Sequence, residues 1–583
     1  MFSKILRYTL VGLFVFTLVG QACLQFPDPR GLVCNSDDQC GILRCIQNIC
    51  TDKVTPTEGV SSETSKEVAP QEEPSEPVKE SKEDSPEEPA SESDDAGQVD
   101  PEKAPENVVS PESEPANEST RETRPERPQD VSSGDEQTVT PEPKPDTPVT
   151  QKNWVSATEM TGPLIDDNVS PHFAQDSKGN IYIAGTFLSP IKMGTCSVAP
   201  KGSHEIFVGK FDPQGKCLWM NRAGGTSHDE GSGVVVDSQD NVLITGTFSG
   251  VGDFGSTTLA FNGNRDVFLA KLDSNGNWQW VKQAGDLGEN GKGGIAIDSK
   301  DNIYLSGTYT ADSKVGSFTI KYNGSYRNTW ILKANSNGIW QWAKSINGYS
   351  IHGTMVTVDK QDNLYIAGHG GGQIKFDNVQ TGKISGNVFV LSLDPTGKAR
   401  WIAWEKSATG GGSTRASKII PDSKGNILLV GNYLDQASFG STHLPYSATS
   451  RSRQAYVAKL SNQGKWLWAK AIASPFNERL LGVTVDQQDN VYVTGFFEGI
   501  ITLAGTNLKS AGDTDVLVAG LDSSGNWLWA LQGGSTGIDR GSDLYVTQQG
   551  DLFVTGKFGG KGSFGSINFQ STASRNMFLA KVR

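Results

Sequence analysis

Between Thr51 and Thr150 the sequence contains no Phe, Trp, Tyr or Cys, and this absence excludes a packed core for the whole segment. The segment holds 28 acidic and 9 basic residues and 16 of the chain's 27 prolines. Its net charge of −19 exceeds the −14 of the whole chain, so the remaining residues sum to +5. We therefore expect residues 51–151 to form a disordered acidic linker; recruitment of a basic partner is the alternative role.

The chain also lacks an apolar run long enough to cross a bilayer. Lys4 and Arg7 precede an apolar stretch from Tyr8 to Gly20, which has about 13 residues, whereas a membrane span needs about 20. Residues 1–22 are therefore predicted to be a secretory signal peptide. Cleavage either creates a lipoprotein with Cys23 at its N-terminus or follows an ordinary small-residue pattern, and the sequence leaves both open.

Cysteine is scarce, with seven in the chain. An odd number in an exported protein favours lipidation of Cys23, because this leaves six for disulfides. Besides Cys23, residues 23–50 contain four cysteines, which predict a small disulfide-linked segment of undetermined pairing, with a zinc site as the alternative. These four are Cys34, Cys40, Cys45 and Cys50. The remaining two predict a disulfide between Cys196 and Cys217, and the alternative is a pair of buried thiols.

Seven copies of one sequence repeat fill residues 152–583. A glycine that ends the first half of each copy recurs at intervals of 61, 61, 61, 63, 64 and 61 residues. So constant a period predicts a repeat architecture. The seven glycines are Gly185, Gly246, Gly307, Gly368, Gly431, Gly495 and Gly556.

Each copy is predicted to contain four short antiparallel strands. In copy two, apolar alternation and turn residues indicate strand A at Gly233–Asp237, strand B at Val242–Phe248 and strand C at Asp266–Asp273. Strand C has no polar face, as expected when neighbouring sheets cover both sides. Strand D carries Trp278 and Trp280, whose large rings we expect to fill the outer gap between blades.

The ends of the array predict how it closes. Copy seven stops at Arg583 after its strand C, and residues 153–155 have the pattern of the missing strand D, so we expect them to pair there. The recurring signatures Asp-x-x-Gly-Asn-x-Tyr-x-x-Gly and Phe-x-x-Lys-x-Asp-x-x-Gly-x-x-x-Trp resemble the β-propeller repeat family of bacterial surface proteins. The resemblance covers Lys152 to Arg583. It implies an all-β, seven-bladed β-propeller of four-stranded antiparallel blades, and implies no particular reaction.

One position at the start of strand A varies among the copies beyond what folding requires. Copies five to seven place Arg415, Arg479 and Arg540 there, and the guanidinium fork suits carboxylate or phosphate. The sequence thus predicts an anionic ligand site at one mouth of the ring. The alternative is that each arginine forms a surface ion pair with Glu478 or Asp539. Further candidate ligand-binding residues at the two matching positions are Asp229, Glu230, His352, Glu478 and Asp539.

Several familiar sites are not predicted. The six histidines lack a metal-ligand spacing, so no metal or cofactor is expected. Residues 151–583 hold 39 basic and 35 acidic side chains, without the basic excess of a nucleic-acid binder. Gly533–Gly537 matches a serine-hydrolase pattern, but the repeat accounts for its glycines. The turns that begin at Asp176 and Asp422 lack the spacing of calcium loops and are expected to be tight turns.

Together these features predict a monomeric lipoprotein, exported to the bacterial cell envelope and anchored in the outer membrane, whose propeller binds an unknown protein or glycan and is not an enzyme. A second hypothesis is an enzyme acting on extracellular polysaccharide, with two of Asp229, Glu230, Glu478 and Asp539 about 5 to 10 Å apart. A third is a structural envelope protein.

Overall fold

The structure is a computed structural model of the chain. It describes residues 43–46, 49–52, 152–161, 172–261, 265–286, 293–324, 326–406, 413–446, 452–570 and 576–583. The chain divides into two compact units, Met1–Gly134 and Asp135–Arg583. In the first unit, β1 (Leu43–Ile46) pairs antiparallel with β2 (Ile49–Asp52), which places Cys45 opposite Cys50. The predicted signal peptide, Cys23 and residues 53–151 of the predicted acidic linker lie outside the described residues, whereas Thr51 and Asp52, the first two residues of that linker, belong to β2.

Every regular element in the described ranges is a β-strand. Before the repeats comes β3 (Trp154–Met160). Copy one contains β4 (His172–Gln175), β5 (Ile181–Phe187), β6 (Ile191–Met193), β7 (Cys196–Val198), β8 (Glu205–Phe211) and β9 (Cys217–Ala223). Copy two contains β10 (Glu230–Val236), β11 (Val242–Phe248), β12 (Gly252–Phe254), β13 (Thr257–Leu259), β14 (Asp266–Leu272) and β15 (Trp278–Asp286). Among the residues with described structure, none forms a helix of the length and apolarity that a membrane span requires.

The middle copies follow the same order. Copy three contains β16 (Ile295–Ile297), β17 (Ile303–Tyr309), β18 (Ser313–Val315), β19 (Phe318–Ile320), β20 (Asn328–Ala334) and the first part of β21 (Trp340–Val358). Copy four contains the rest of β21, then β22 (Leu364–Phe376), β23 (Val379–Leu393) and β24 (Ala399–Trp404). Copy five contains β25 (Arg415–Pro421), β26 (Ile427–Tyr433), β27 (Ser438–Phe439), β28 (Thr442–His443), β29 (Gln454–Leu460) and β30 (Trp466–Ile472).

The last two copies complete the array. Copy six contains β31 (Glu478–Val485), β32 (Val491–Phe497), β33 (Ile500–Leu503), β34 (Thr506–Lys509), β35 (Asp515–Leu521) and β36 (Trp527–Ser535). Copy seven contains β37 (Arg540–Val546), β38 (Leu552–Phe558), β39 (Lys561–Phe564), β40 (Ile567–Gln570) and β41 (Asn576–Val582).

The repeats form a propeller-like array of antiparallel sheets. Four sheets have four strands each, in the orders β4-β5-β8-β9, β10-β11-β14-β15, β25-β26-β29-β30 and β3-β41-β38-β37. Copy six extends to six strands, because β36 also pairs with the β39-β40 hairpin. Copies three and four merge into one seven-stranded sheet through the 19-residue strand β21. The prediction of seven separate four-stranded blades is therefore corrected, since the described residues do not form seven separate sheets.

The merged sheet has a local cause. The connection from Ile346 to Ile351 is one residue shorter than the equivalent connection from Gly533 to Asp539. No separate turn forms there, and β22 pairs along the whole connection, with Asn347 opposite Lys375 and Tyr349 opposite Gly371. The shortened connection thus becomes part of one continuous strand.

The predicted closing strand is confirmed. β3 pairs antiparallel with β41, from Trp154 opposite Val582 to Met160 opposite Met577. The backbone groups of Asn153 and Arg583 exchange two hydrogen bonds of 2.9 Å. The edge of copy seven is therefore covered by the segment that precedes copy one.

A hairpin between the second and third long strands was not predicted from the sequence. It recurs as β6-β7, β12-β13, β18-β19, β27-β28, β33-β34 and β39-β40, while copy four extends β22 and β23 instead. The signal for it is an apolar residue followed by glycine, as at Phe254-Gly255 and Phe564-Gly565. Both glycines have positive φ, of 64° and 59°, which suits a two-residue turn.

The core lies between consecutive copies. The central strands, such as β5, β8, β11 and β14, are buried along their whole length, because neighbouring sheets cover both faces. One cluster joins copy one to copy seven, packing Phe207 against Phe553 and Leu579. Tryptophan fills the outer gap as predicted: the ring of Trp219 lies so close to Gly276 of copy two that a Cβ there would approach it to 3.0 Å.

Candidate functional site

The predicted arginines occupy equivalent places at one end of the sheets. We call this the mouth position: the residue of each first strand that pairs with the residue after the repeated glycine. Arg415 pairs with Asn432, Arg479 with Phe496, and Arg540 with Lys557. In copy four the pair is His352 with His369, and in copy two it is Glu230 with Thr247. Asn168, Val169, Asn290 and Gly291, which match in copies one and three, lie outside the described residues.

The three arginines form a cluster of like charge, the basic mouth. Nε of Arg479 lies 3.4 Å from Oγ of Ser417 in copy five, which directs this side chain toward Arg415. The guanidinium of Arg540 lies 4.5 Å from the ring centre of Phe496. Phe496 is the residue that pairs with Arg479 across β31 and β32. Burial, together with the charges of Arg415 and Arg540, lowers the pKa of Arg479 to about 10. The structure therefore brings the three predicted residues together.

Two stacked imidazoles continue the basic mouth into copy four. The rings of His352 and His369 lie 4.8 Å apart and nearly parallel. Nη1 of Arg327 donates to Nδ1 of His352 across 3.3 Å. Burial is the main reason that the pKa of His352 falls to about 4 and that of His369 to about 3, and the Arg415 charge adds to both shifts. Both rings are therefore neutral near pH 7 and leave the positive charge to the arginines.

The alternative that Glu478 neutralises the neighbouring arginines is not observed. Within the described ranges, no carboxylate lies within 4 Å of the guanidinium groups of Arg415 or Arg479. The carboxyl group of Glu478 instead bonds to the hydroxyl of Ser474, four residues earlier in its own loop. Burial raises the pKa of Glu478 to about 8, so the group is mostly protonated at pH 7 and carries little charge.

Asp229 and Asp539 also have local structural partners. Asp229 accepts the backbone N–H groups of Gly225 at 2.7 Å and Ser249 at 2.9 Å. Asp539 likewise accepts the backbone N–H groups of Ser535, four residues before it, and of Gly559, twenty residues after it. Burial raises the pKa of both, that of Asp229 to about 6. Both side chains are fully buried, so neither is accessible from solvent.

Glu230, the fourth candidate carboxylate, contacts a histidine and an arginine. One carboxylate oxygen lies 2.7 Å from Nε2 of His228 and 3.5 Å from Nη1 of Arg265. The four candidate carboxylates of the polysaccharide-enzyme hypothesis are thus occupied by local partners. The same applies to the hydrolase-like serine: Ser535 is buried and its hydroxyl donates to Asp539 at 2.8 Å.

The turns considered for calcium are closed by protein donors. Asp176 accepts the backbone N–H of Lys178 at 3.0 Å and of Asn180 at 2.8 Å, and its other oxygen lies 3.1 Å from Nζ of Lys210. Asp422 makes the same contacts, with Lys459 at 2.9 Å. The tight-turn interpretation is confirmed. Across the described part of the chain, no group of three His, Cys, Asp or Glu side chains is arranged to hold a metal ion.

The predicted disulfide between Cys196 and Cys217 is confirmed and joins β7 to β9. The pairing of Cys34, Cys40, Cys45 and Cys50 stays open, because the side chains of that segment are not described.

A central cavity of about 520 Å³ lies below the basic mouth. Its wall takes residues from β4, β10, β16, β21, β25, β31 and β37, the first strands of all seven copies. Arg479 lines it and so connects it to the mouth. The wall also contains a charged group that the sequence analysis missed, formed by His172, Lys418 and Asp543. Aligning the copies three positions further into strand A would have shown these three residues at equivalent places.

The fold and this site define the chain as an all-β repeat protein with a propeller-like arrangement of sheets and a basic mouth above a central cavity. No protein-family model matches the chain. It is 22% identical over 484 residues to the uncharacterized WD repeat-containing protein L264 of Acanthamoeba polyphaga mimivirus, with 69% of this chain and 34% of that protein aligned. The chain thus spans about a third of the length of this curated relative.

Two solved structures are similar to this chain, each with a low TM-score. The WD40 domain of Neurospora crassa Pan2 is 12% identical with a TM-score of 0.39, covering 74% of this chain and 95% of that one. Virginiamycin B lyase from Staphylococcus aureus is 10% identical with a TM-score of 0.32, covering 60% of this chain and 94% of that one. The pairing of the strands itself shows the propeller-like fold. The narrower resemblance to bacterial surface proteins stays a prediction.

Proposed function

We propose that this protein is a binding platform that recognises an acidic glycan at its basic mouth. The observation that carries the proposal is the gathering of Arg415, Arg479 and Arg540, with no carboxylate partner for the first two among the described residues. Like charges held together raise the local potential, and a bound anion relieves their repulsion. Hydrogen bonds between guanidinium and an anionic group are worth about 1.5 to 3 kcal/mol each when shielded from water.

Exposed aromatic rings beside the mouth favour a glycan over an acidic peptide. Tyr326 is 70% exposed and Tyr349 is 62% exposed. Tyr326 precedes Arg327, whose backbone carbonyl accepts the N–H of Ile351 at 2.9 Å, two residues after Tyr349. Both rings therefore lie on the rim where Arg327 meets His352. Flat amphipathic rings of this kind offer contact area to sugar rings at low entropic cost.

We also propose that the seven repeats of this platform close into a ring in which copies three and four share a strand. The support is that all seven first strands line one cavity, and that a hydrophobic cluster connects copy seven to copy one. The similarity to a WD repeat-containing protein supports an interaction role over a reaction.

A glycan array with the full chain tests the function. Acidic polysaccharides should bind, neutral ones should bind at least tenfold more weakly, and 0.5 M salt should abolish most of the signal, since exposed charge interactions are screened. The variants Arg415→Ala and Arg479→Ala should weaken binding without lowering the melting temperature. Lys178→Ala, which removes an exposed cation from a turn at the other end of the sheets, is the control and should bind normally.

Two results would contradict this proposal. Equal binding of neutral and acidic glycans would show that the basic mouth is not an anion site. Binding of acidic peptides alone would show that the protein is a binding platform whose ligand is a protein and not a glycan.

We also propose that the protein is exported and lipid-anchored at the cell surface. The support comes from residues outside the described ranges, namely the signal-like residues 1–22 and Cys23. Replacing Cys23 with Ser should move the protein from the membrane fraction to the soluble fraction and stop fatty-acid labelling. Unchanged labelling of the variant would mean that Cys23 is not the lipid site.

A further inference from the structure

Two register positions below the mouth, the first strands carry a second set of residues that differ among the copies. We call this the channel position: the residue of each first strand that pairs with the residue before the repeated glycine. Folding alone would favour similar residues at equivalent places, yet three of the residues here are charged or titratable. The channel position holds His172, Gly233, Met355, Lys418, Gly482 and Asp543 in copies one, two, four, five, six and seven.

Lys418 and Asp543 form an ion pair that passes over copy six. The intervening residue is Gly482, where a Cβ would lie 2.9 Å from Cα of Asp543, so a side chain there would displace the pair. Asp543 also accepts the backbone N–H of Phe173 in copy one at 3.3 Å. Its carboxylate is only 3% exposed, whereas the Lys418 side chain is 27% exposed. The ammonium group of Lys418 therefore reaches the cavity while it is paired with the buried carboxylate of Asp543.

The charges of the cavity wall do not cancel. The Lys418 charge is matched by Asp543, and Glu230 is matched outside the cavity by His228 and Arg265. Arg479 remains, and no carboxylate of the described residues lies within 4 Å of it. Burial lowers the pKa of His172, which leaves that ring neutral and able to accept or donate a hydrogen bond.

The wall is also supplied with hydroxyl groups. Ser232, Ser417 and Ser542 line the cavity. The hydroxyl of Ser232 has no hydrogen-bond partner among the described residues, and a buried polar group without a partner costs free energy until a ligand or water meets it. Lys418 has three N–H donors, and a single Asp543 oxygen uses one of them. The cavity thus combines one uncompensated cation with several neutral donors and acceptors.

We propose that this cavity binds one hydroxylated carboxylate, of the sugar-acid class, with Arg479 on the carboxylate and Lys418, His172 and Ser232 on the hydroxyl groups. A volume of about 520 Å³ is within the range of small-molecule sites. The inference rests on the proposed function and deepens it: the basic mouth attracts the acidic chain, and the cavity receives its terminal uronate. A free sugar acid offers the same chemistry.

Isothermal titration of the full chain with glucuronate, with glucose as the neutral probe, tests the site. Glucuronate should bind at least tenfold more tightly than glucose. Arg479→Lys should weaken glucuronate binding about tenfold, because the ammonium lacks the bidentate fork. Lys418→Met, which keeps the length of the side chain, should also weaken it several-fold. Lys178→Met is the matched control and should leave binding unchanged. Melting curves confirm that each variant is folded.

The outcomes separate this inference from the proposed function. If acidic polysaccharide binds and depends on Arg415 but glucuronate does not bind, the cavity site is wrong and the mouth stands. If glucuronate binds equally well to the wild type and Lys418→Met, the ligand is not in the cavity and the inference is overturned. If neither probe binds, both are overturned. Tighter binding of an oligosaccharide with a terminal uronate than of free glucuronate identifies the glycan end as the source; the reverse order identifies the free acid.

Discussion

At the scale of single residues, burial controls the charge of three carboxyl groups that connect loops to strands. Removal from water raises the pKa of Asp229 to about 6, of Asp515 to about 7 and of Glu478 to about 8. In the unfolded chain such groups titrate near pH 4. These three groups therefore bind protons more tightly in the folded protein than in the unfolded chain, and the stability that they contribute falls as pH rises from about 4 to 8.

We predict that Glu478→Gln removes part of this pH dependence. Below pH 4 the wild-type carboxyl is protonated in both states and resembles the amide, so the variant should be nearly neutral there. At pH 8 the wild-type protein must either carry a buried charge or keep a proton at some cost, and the variant should be more stable by about 2 to 4 kcal/mol. Urea unfolding at pH 4, 6 and 8 measures this. A variant that is equally destabilised at every pH would mean that Glu478 acts by shape alone.

At the scale of elements, a repeated hydrogen-bonded contact joins the tight turn of each of four copies to that of the next. Ser177 donates its N–H and O–H to Asp240 at 2.8 and 2.9 Å. The same two bonds connect Ser238 with Asp301, Ser299 with Asp362, and Ser423 with Asp489. Each of these aspartates has a positive φ near 60°, a strained conformation for a residue with a side chain.

The two residue types at this contact vary together from one copy to the next. Where the earlier copy has Lys360, Gln487 or Gln548 instead of serine, the next copy has glycine at the strained position. These glycines are Gly425, Gly550 and Gly179, and all have positive φ. The last pair crosses from copy seven to copy one. Asp is therefore found at the strained position only where a serine of the preceding copy binds it.

We predict strong coupling between Ser238 and Asp301. Ser238→Ala and Asp301→Gly should each cost about 1 kcal/mol, and the double variant should cost little more than either single one, because both remove the same two bonds. Lys360→Ala, at a junction with glycine opposite, is the control and should be neutral. A double-mutant cycle from chemical unfolding measures the coupling. Additive losses would show that the two side chains act independently.

At the scale of the whole molecule, β3 determines whether the array is closed. Trp154 is 7% exposed, and its indole N–H donates to the carbonyl of Gln532 at 2.8 Å. Its ring lies 4.7 Å from that of Phe564. The strand therefore covers the edge of β41 and contacts copy six as well as copy seven.

We predict that deletion of residues 152–160 opens this edge. Stability should fall by several kcal/mol, and the protein should aggregate, because a free strand edge recruits other strands. Thermal melting and light scattering of a variant beginning at Thr161 measure both effects. A variant beginning at Lys152 is the control and should melt like the full chain. Identical melting of the two would mean that β3 does not close the array.

The sequence by itself determined the strands, their order and the closing segment, because each depends on local pattern. Apolar alternation marks a strand, Asp and Asn mark a turn, and a missing strand D at one end predicts its counterpart at Trp154. The disulfide was predictable for a similar reason, since Cys217 replaces a tryptophan of the repeat close to Cys196. The hairpins after the second strand had a signal in Phe254-Gly255, but the variation in length between copies concealed it.

Only the tertiary structure decided which side chains meet. The fusion of copies three and four follows from one missing residue, whose effect depends on how β22 pairs along β21. Arg479 approaches Arg415 instead of Glu478, because the carboxyl of Glu478 is directed into its own loop. Lys418 meets Asp543, 125 residues away, since the closed array points the first strands at one centre and Gly482 leaves the path open. Such contacts depend on register and curvature, which arise from many residues at once and have no local pattern.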